Sequence, residues 1–208
     1  MMGQVVAFDI ETLGLLDAVP LPEITCVCLY DGIQDIMLQL SGVEPTLREQ
    51  NVQRLIAVMD AARLLVGFNA IYFDLEFIRQ SLCIDAARML RWQLKCLDPY
   101  ACLRLVLGTG CKLQHLLTLN DMGAKTGSGE DAIMLAQTGQ WDQLLRYCAM
   151  DARLTYRLVM EREWIRVAPG IECRMLPPGH APEFRCVSAP AVLPQRTDPL
   201  SAVLLPDD

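Results

Sequence analysis

A short apolar run near the N-terminus reads Gln4-Val-Val-Ala-Phe-Asp-Ile-Glu-Thr12. Its β-branched and aromatic residues predict a buried strand over 4–10, with two acids, Asp9 and Glu11, at its end. Residues two apart on a strand project from the same face, so the two carboxylates are expected side by side and partly desolvated. Such a pair is costly unless a cation neutralises it, and Mg²⁺ or Mn²⁺ prefers oxygen ligands of this kind. The alternative is a strand end that simply enters solvent.

The segments that follow predict an α/β domain. In the order strand, strand, helix, strand, helix and strand they are 24–30, 33–40, 46–60, 64–68, 75–83 and 92–97. Asp31-Gly32 is a hairpin turn signal between the first two of these, so they are expected to pair antiparallel. Helices dominate the rest, and the longest is predicted from Trp141 to about Arg166. A meander of three strands followed by alternating helix and strand predicts a mixed sheet.

The composition changes near residue 168. The chain has 208 residues, and eight of its twelve prolines lie in the last 41. Proline-rich sequence without periodicity does not propagate a helix or a central strand. We therefore predict a folded domain over 1–167 and an extended, proline-rich tail over 168–208 that is partly packed or disordered. Such a tail could recruit a partner, for example a polymerase or a helicase.

Composition and charge exclude several classes of protein. Hydrophobic residues make up 52% of the chain and charged residues 21%, which excludes a disordered or collagen-like protein. The net charge of −7 argues against a nucleic-acid coat or histone-like protein. No signal peptide or membrane span is predicted. The nine cysteines form no Cys-x-x-Cys motif and the two histidines are far apart, so reduced thiols in a cytoplasm or nucleus are expected, and a zinc site is not.

A second acidic position lies in Gly67-Phe-Asn-Ala-Ile-Tyr-Phe-Asp74. A strand is predicted to end at Asn69, and Asp74 stands where the next helix begins. Asp74 is either a helix N-cap, as in any protein, or a third carboxylate aimed at the same end of the sheet. In the second case, Asn69 and Phe73 could position the chain or pack on a substrate base.

A third segment, Tyr147-Cys-Ala-Met-Asp151, lies within the predicted long helix. Tyr147 and Asp151 are four residues apart and share one face of the helix. The alternative here is an ordinary tyrosine that hydrogen-bonds to a nearby acid.

Other polar features are assigned structural roles. Gly123-Ala-Lys-Thr-Gly-Ser-Gly129 lacks the order of a phosphate-binding loop, so Lys125 is expected in a plain solvent loop, with contact to a nucleic-acid backbone as the alternative. Asp98 precedes Pro99 and is expected to be a helix N-cap.

Together the three acidic segments closely resemble the DEDD superfamily of 3′→5′ exonucleases, which has the ribonuclease H-like fold. Tyr147-x-x-x-Asp151 matches its tyrosine subclass, and the segments that begin at Phe8, Gly67 and Tyr147 look most like the proofreading domain of family B DNA polymerases. The resemblance covers about residues 4–165. It implies a three-layer fold whose central mixed five-stranded sheet is flanked by helices. No polymerase palm or fingers sequence follows, so a stand-alone exonuclease-like domain is expected.

The resemblance also implies a mechanism, which is hydrolysis of a terminal phosphodiester with two Mg²⁺ or Mn²⁺ ions. Asp9, Glu11 and Asp151 would hold the ion that activates the attacking water. Asp9 would bridge to a second ion at the leaving 3′-oxygen, which Asp74 would reach through water. Tyr147 would orient the attacking water or the scissile phosphate.

The implied substrate is the 3′ end of single-stranded DNA or RNA, with DNA favoured and DNA repair or replication as the setting. Thr12 and Leu13 would contact the terminal nucleotide, and Phe73 would help to stack it. Two alternatives stay open: a structure-specific endonuclease of the same fold, and a nucleic-acid-binding or scaffold domain without turnover. Because the chain is acidic, binding is expected to be weak and local to the 3′ end.

Overall fold

The computed structural model describes residues 4–125 and 127–187, and a five-stranded sheet forms its centre. The strands are β1 (Val5–Thr12), β2 (Ile24–Tyr30), β3 (Asp35–Gln39), β4 (Leu64–Val66) and β5 (Cys96–Leu97). Their order across the sheet is β3-β2-β1-β4-β5. The first three strands are antiparallel neighbours, whereas β4 runs parallel to β1 and β5 runs parallel to β4. The predicted meander and the predicted mixed five-stranded sheet are confirmed.

The turn between β2 and β3 forms where the sequence predicts it. The Asp31 carboxylate accepts hydrogen bonds from the backbone N–H groups of Ile33 and Gln34, both at 2.9 Å. Gly32 has a φ of 92°, a backbone conformation that costs a side-chain-bearing residue more than glycine. The turn therefore fixes the pairing of β2 with β3.

Seven helices of the described residues cover the two faces of this sheet. They are α1 (Pro45–Ala61), α2 (Asp74–Ser81), α3 (Ala86–Leu94), α4 (Pro99–Leu107), α5 (Leu113–Leu119), α6 (Gly129–Gln137) and α7 (Trp141–Met160). Helices α1, α2 and α3 share an apolar core with Phe8 and Ile10 of β1, whereas α4, α5 and α7 share a second core with Ala7 on the opposite face. The predicted three-layer α/β arrangement is therefore confirmed. No helix within 4–125 or 127–187 has the length and apolar character that a membrane span requires.

The strand predicted over 92–97 is present only as Cys96–Leu97, and the prediction is wrong for 92–94. Its first three residues belong to α3, and only Cys96–Leu97 pair with β4. Met89 and Trp92 of α3 are both buried, and Trp92 Nε1 donates a hydrogen bond to Asp60 Oδ1 at 2.7 Å. Burial at this three-residue spacing is helical, and the short apolar run alone does not show it.

The long helix α7 ends at Met160 rather than near Arg166, because a second sheet begins a few residues later. Its strands are β6 (Ile165–Ala168), β7 (Ile171–Arg174) and β8 (Glu183–Cys186), antiparallel in that order. Ile165 and Val167 alternate toward the core that α4 and α5 also line. This alternation of β-branched residues suits a half-buried strand better than one more turn of helix.

The predicted domain boundary between residues 167 and 168 falls inside β6. Pro169 and Gly170, which has a φ of 74°, form the turn that connects β6 to β7. The chain therefore continues as a small sheet on the same domain through the first part of the predicted tail. The rest of that tail, 188–208, lies outside the described residues.

Candidate active site

The acids of β1 lie on the face of the sheet that α7 covers. The strand register places Asp9 opposite Cys28 of β2 and Glu11 opposite Cys26. The carboxylate oxygens of the two acids and the sulfur of Cys148 on α7 all lie within 4.8 Å of one another. Asp9 and Glu11 thus share one face, as their spacing predicts, and the ladder to β2 fixes their backbone.

Asp74 points back at this pair from the first residue of α2. Its side chain is 4% exposed, and its Oδ1 accepts a hydrogen bond from the N–H of Ile10 at 3.2 Å. The N-cap of α2 is Phe73, so the alternative prediction, in which Asp74 is the N-cap of this helix, is wrong. The bond to Ile10 instead places this third carboxylate beside the strand end that carries the other two.

Helix α7 supplies the fourth carboxylate and the tyrosine. Asp151 is 3% exposed, and its Oδ1 is buried without a hydrogen-bond partner among the described residues. The Tyr147 hydroxyl lies one turn earlier on the helix and donates to the carbonyl oxygen of Gly127 at 3.4 Å. The polar tips of Tyr147 and Asp151 therefore face the acids of β1, on the side of α7 that packs against the sheet.

Lys125 is a further residue at the candidate site, and the sequence did not reveal its position there. Its Nζ lies 2.5 Å from Asp151 Oδ2 and 5.5 Å from the centre of the Tyr147 ring. Its backbone N–H donates to Gln114 Oε1 at 2.6 Å, which holds this part of the loop against α5. The expectation of a plain solvent loop is therefore wrong. The one available signal was a lysine among flexible glycines, and that signal is common in loops without function.

The electrostatics of the cluster favour a bound cation. Burial, and then repulsion from Glu11 and Asp151, raises the pKa of Asp9 well above its usual range. Burial and repulsion from Asp98 raise the pKa of Asp74 from its usual 3.8 to about 7. Burial also raises the pKa of Glu11 and of Asp151. Two buried and two half-buried acids lie close together here, and their ionised forms need more positive charge than one lysine provides.

This donor set fits a hard divalent ion. Its ligands would be carboxylate oxygens, the kind that Mg²⁺ and Mn²⁺ prefer. The unpartnered Asp151 Oδ1 is a buried acceptor of that type, and leaving it unsatisfied is costly. Asp9, Glu11, Asp74 and Asp151 are the residues that could hold such ions.

The acids lie at one end of a cavity of about 400 Å³. Phe68, Phe73 and Tyr100 line its other walls, together with Lys112 and His115. The cavity therefore combines an acidic end with an aromatic wall, an arrangement suited to a ligand that carries both a phosphate and a flat ring.

Two of the four predicted substrate-contacting residues line this cavity. Phe73 is one of its aromatic walls, and Asn69 lies beside it with a left-handed φ of 60°. Asp98 stabilises that backbone, since its carboxylate accepts from the N–H groups of Asn69 and Ile71, both at 2.9 Å. Asp98 also accepts from the N–H of Ala101 at 3.2 Å, so it is the helix cap that the sequence predicts and not one of the four acids.

Thr12 and Leu13 do not line the cavity. The Thr12 hydroxyl donates to the carbonyl oxygen of Gly14 at 2.6 Å, and the Leu13 side chain is 37% exposed. Contact with a terminal nucleotide stays a prediction for both residues, and in this structure Thr12 stabilises the turn that follows β1.

A comparison with protein-family models matches residues 6–162 to a family described as RNase H superfamily. The chain belongs to the RNase H superfamily. The match spans β1 through the end of α7, so it includes all four acids and Tyr147. The predicted ribonuclease H-like fold is thereby confirmed.

Solved structures of this superfamily's fold include two kinds of nucleic-acid enzyme similar to this chain. A family B DNA polymerase from the hyperthermophilic archaeon Pyrobaculum calidifontis matches with a TM-score of 0.59 and 14% identity, over 77% of this chain and 24% of the polymerase. RNase D from Trypanosoma brucei in complex with GMP matches with a TM-score of 0.52 and 16% identity, over 75% of this chain and 49% of RNase D. The chain thus spans about a quarter of the polymerase and half of RNase D. At such identities the likeness shows the fold. A comparison with curated protein sequences gives no significant match.

Proposed function

We propose that this RNase H superfamily protein is a metal-dependent 3′→5′ exonuclease of the tyrosine type of DEDD nuclease. One observation carries the proposal: Asp9, Glu11, Asp74 and Asp151 converge from a strand and two helices at one end of a cavity, with Tyr147 beside them. The superfamily match and the polymerase and RNase D neighbours support nuclease activity.

Two Mg²⁺ or Mn²⁺ ions are the proposed cofactors, held by the four acids. When bound, such ions lower the pKa of a water that attacks phosphorus and stabilise charge on the leaving oxygen. The repulsion among the acids favours binding of these ions. Each bound ion offsets the negative charge of the carboxylates and so lowers the pKa values that their mutual repulsion raises.

The chain's own residues would hold and orient the reacting groups. Tyr147 is mostly buried and its hydroxyl lies near the acids, so it can donate a hydrogen bond to the attacking water or to a phosphate oxygen. Lys125 adds a positive charge at the same point and can contact a phosphate once a metal ion has replaced it at Asp151.

The cavity favours a chain end as the substrate. Its volume of about 400 Å³ lies in the range of sites for small ligands, which is room for a terminal nucleotide. Phe68, Phe73 and Tyr100 offer aromatic surface on which a base can stack. These features favour an exonuclease over a structure-specific endonuclease.

DNA is the proposed substrate and RNA is the alternative substrate. The motif resemblance to polymerase proofreading domains favours DNA, whereas the GMP in the RNase D neighbour keeps a ribonucleotide product in consideration. Asn69, Tyr100 and Tyr147 line the cavity and carry polar groups that can hydrogen-bond to a 2′-hydroxyl, so the experiment compares RNA with DNA directly.

The test compares labelled substrates with and without metal. We expect the protein with Mg²⁺ or Mn²⁺ to convert 5′-labelled single-stranded DNA into a ladder of progressively shorter products, and to release mononucleotide first from a 3′-labelled strand. Chelation of the metal and the Asp9→Ala substitution should both abolish the ladder. RNA and duplex DNA of the same sequence are run in parallel to rank the substrates.

Each alternative predicts a different outcome of the same experiment. Internal cuts at the first time points would favour the endonuclease. Intact substrate, combined with binding of the single strand in a shift assay, would favour the scaffold domain. Release of label from the 5′ end first would contradict the proposed direction.

A further prediction concerns Lys125. Lys125→Ala leaves the buried Asp151 carboxylate without its cation, so the metal-free protein should lose about 1–3 kcal/mol of unfolding free energy. Lys125→Arg keeps the charge and should lose less. Urea unfolding without metal measures the unfolding free energy of both variants. Saturating Mg²⁺ should narrow their differences from the wild type, because the ion then neutralises the Asp151 carboxylate in place of Lys125. If Lys125→Ala is as stable as the wild type in metal-free buffer, the ion pair contributes nothing to the unfolding free energy.

A further inference from the structure

A cluster of three cysteines lies directly behind the acids. Cys26 and Cys28 of β2 and Cys148 of α7 are each 0% exposed, and their sulfur atoms all lie within 4.8 Å of one another. All three are free thiols. The lack of a Cys-x-x-Cys motif predicted no zinc site, but here the potential ligands come from a strand and a helix more than a hundred residues apart in the sequence.

The spacing of the sulfurs suits a tetrahedral thiophilic ion. Zn–S bonds of about 2.3 Å place two sulfurs of a tetrahedral site about 3.8 Å apart. The cysteine cluster can reach this separation with small side-chain rotations. Thiolates select soft ions such as Zn²⁺, whereas carboxylates and water suit Mg²⁺ and Mn²⁺. The cysteine cluster and the acids therefore differ in the ion that they prefer.

Cys148 lies between the cysteine cluster and the acids of β1, where a fourth ligand is available. Its sulfur also lies within 4.8 Å of the carboxylate oxygens of Asp9 and Glu11, and these two acids line the cavity. The three cysteines are 0% exposed and do not line the cavity, so an ion reaches the sulfurs only if the side chains of Asp9 and Glu11 move aside. The fourth ligand would be an oxygen from that side, either a carboxylate or a water.

Two of the three thiols have hydrogen-bond partners without a metal ion. The Cys28 thiol donates to the carbonyl oxygen of Leu145 at 3.4 Å, and the Cys148 thiol donates to that of Asp9 at 3.3 Å. Thiols are weak donors, so a metal–thiolate bond can replace these contacts at small cost. Binding is therefore expected to be reversible and not a condition for folding.

From this geometry we propose that Cys26, Cys28 and Cys148 form a second metal site, which takes one thiophilic divalent ion of the Zn²⁺ and Cd²⁺ class and whose three sulfur ligands are not among the proposed magnesium or manganese ligands. The proposal does not depend on nuclease activity, because occupancy is measured directly.

The test titrates the full chain with Cd²⁺ under a reductant that does not bind metals and with excess Mg²⁺ present. We expect an ultraviolet thiolate-to-cadmium charge-transfer band that saturates at one equivalent, because oxygen ligands give no such band. Cys148→Ser removes one sulfur ligand of three and should weaken binding at least about 100-fold, more than the loss of a group that only hydrogen-bonds to a ligand. The matched control is Cys83→Ser, which removes an exposed cysteine and should leave the titration unchanged.

A second variant and a second measurement distinguish the loss of a metal ligand from misfolding. Cys28→Ser should weaken the band as Cys148→Ser does, and circular dichroism checks that each variant is folded. Cd²⁺ should raise the unfolding temperature of the wild type and of Cys83→Ser, with no rise for the two cluster variants. The proposal fails if the wild type shows no saturable band, if the cluster variants bind as tightly as the wild type, or if removing the exposed Cys83 and Cys186 abolishes the band.

Discussion

Asp151→Asn is expected to lower kcat/KM for release of the 3′-terminal nucleotide by at least about 10³-fold. The substitution keeps the shape of a side chain that is 3% exposed but removes the charge that would bind a metal ion. A metal ion contributes several kcal/mol to stabilising a phosphoryl transition state, and about 4 kcal/mol corresponds to roughly 10³ in rate. The measurement is initial velocity on single-stranded DNA over a range of Mg²⁺ concentrations.

The same helix offers a matched control in Asp142→Asn. Asp142 lies in the first turn of α7 and is exposed, so its loss should change kcat/KM by less than about twofold. Isothermal titration with Mn²⁺ separates lost metal binding from lost chemistry, since Asp151→Asn should also weaken Mn²⁺ binding. Activity of Asp151→Asn within threefold of the wild type would remove Asp151 from the proposed mechanism.

The sequence predicted those parts of the site that follow from local periodicity. The alternation along β1 placed Asp9 and Glu11 on one face, and the four-residue spacing on α7 placed Tyr147 and Asp151 together. Each position is fixed by the regular geometry of its own element. The antiparallel pairing within the mixed sheet could also be predicted from the sequence. The pairing of β2 with β3 depends on a turn whose residues, Asp31 and Gly32, are recognisable.

Features that depend on contacts between distant segments could not be predicted in this way. The side chain of Lys125 reaches Asp151 while Gln114 of α5 holds its backbone, and no periodic pattern connects the three residues. The same holds for Cys148, which meets Cys26 and Cys28 only when α7 packs on the sheet. Such placements are products of tertiary packing, which local sequence patterns do not encode.

Metal-free protein is expected to lose stability as the pH rises from about 4 to 7, and Asp74→Asn is expected to reduce that loss. The pKa of Asp74 rises from its usual 3.8 to about 7 on folding, through burial and repulsion from Asp98. Within this window the unfolded chain releases the Asp74 proton and the folded chain keeps it. The folded state therefore binds more protons, and the unfolding free energy falls as the pH increases.

The neighbouring acids act in the same direction. Burial raises the pKa of Asp9, Glu11 and Asp151, so each adds to the loss at neutral pH. Glu76 acts in the opposite direction, since its hydrogen bond from Arg79 lowers its pKa to about 2. Its contribution changes only below about pH 4.5, outside the window, so it does not cancel the effect of Asp74.

Unfolding temperatures at pH 5 and pH 8, with chelator or with Mg²⁺, test this expectation. Asn at position 74 can still accept the hydrogen bond from Ile10, so the variant removes the charge and keeps the contact. At pH 8 without metal it should unfold several degrees above the wild type, at about 2–4 °C per kcal/mol for a chain of this size. Mg²⁺ should stabilise the wild type more than Asp74→Asn, and more at pH 8 than at pH 5, where protons compete with the ion. Equal pH profiles for the two proteins without metal would mean that Asp74 is ionised in the folded state at neutral pH, and that the hydrogen bond from Ile10 and the nearby Lys125 already compensate its charge.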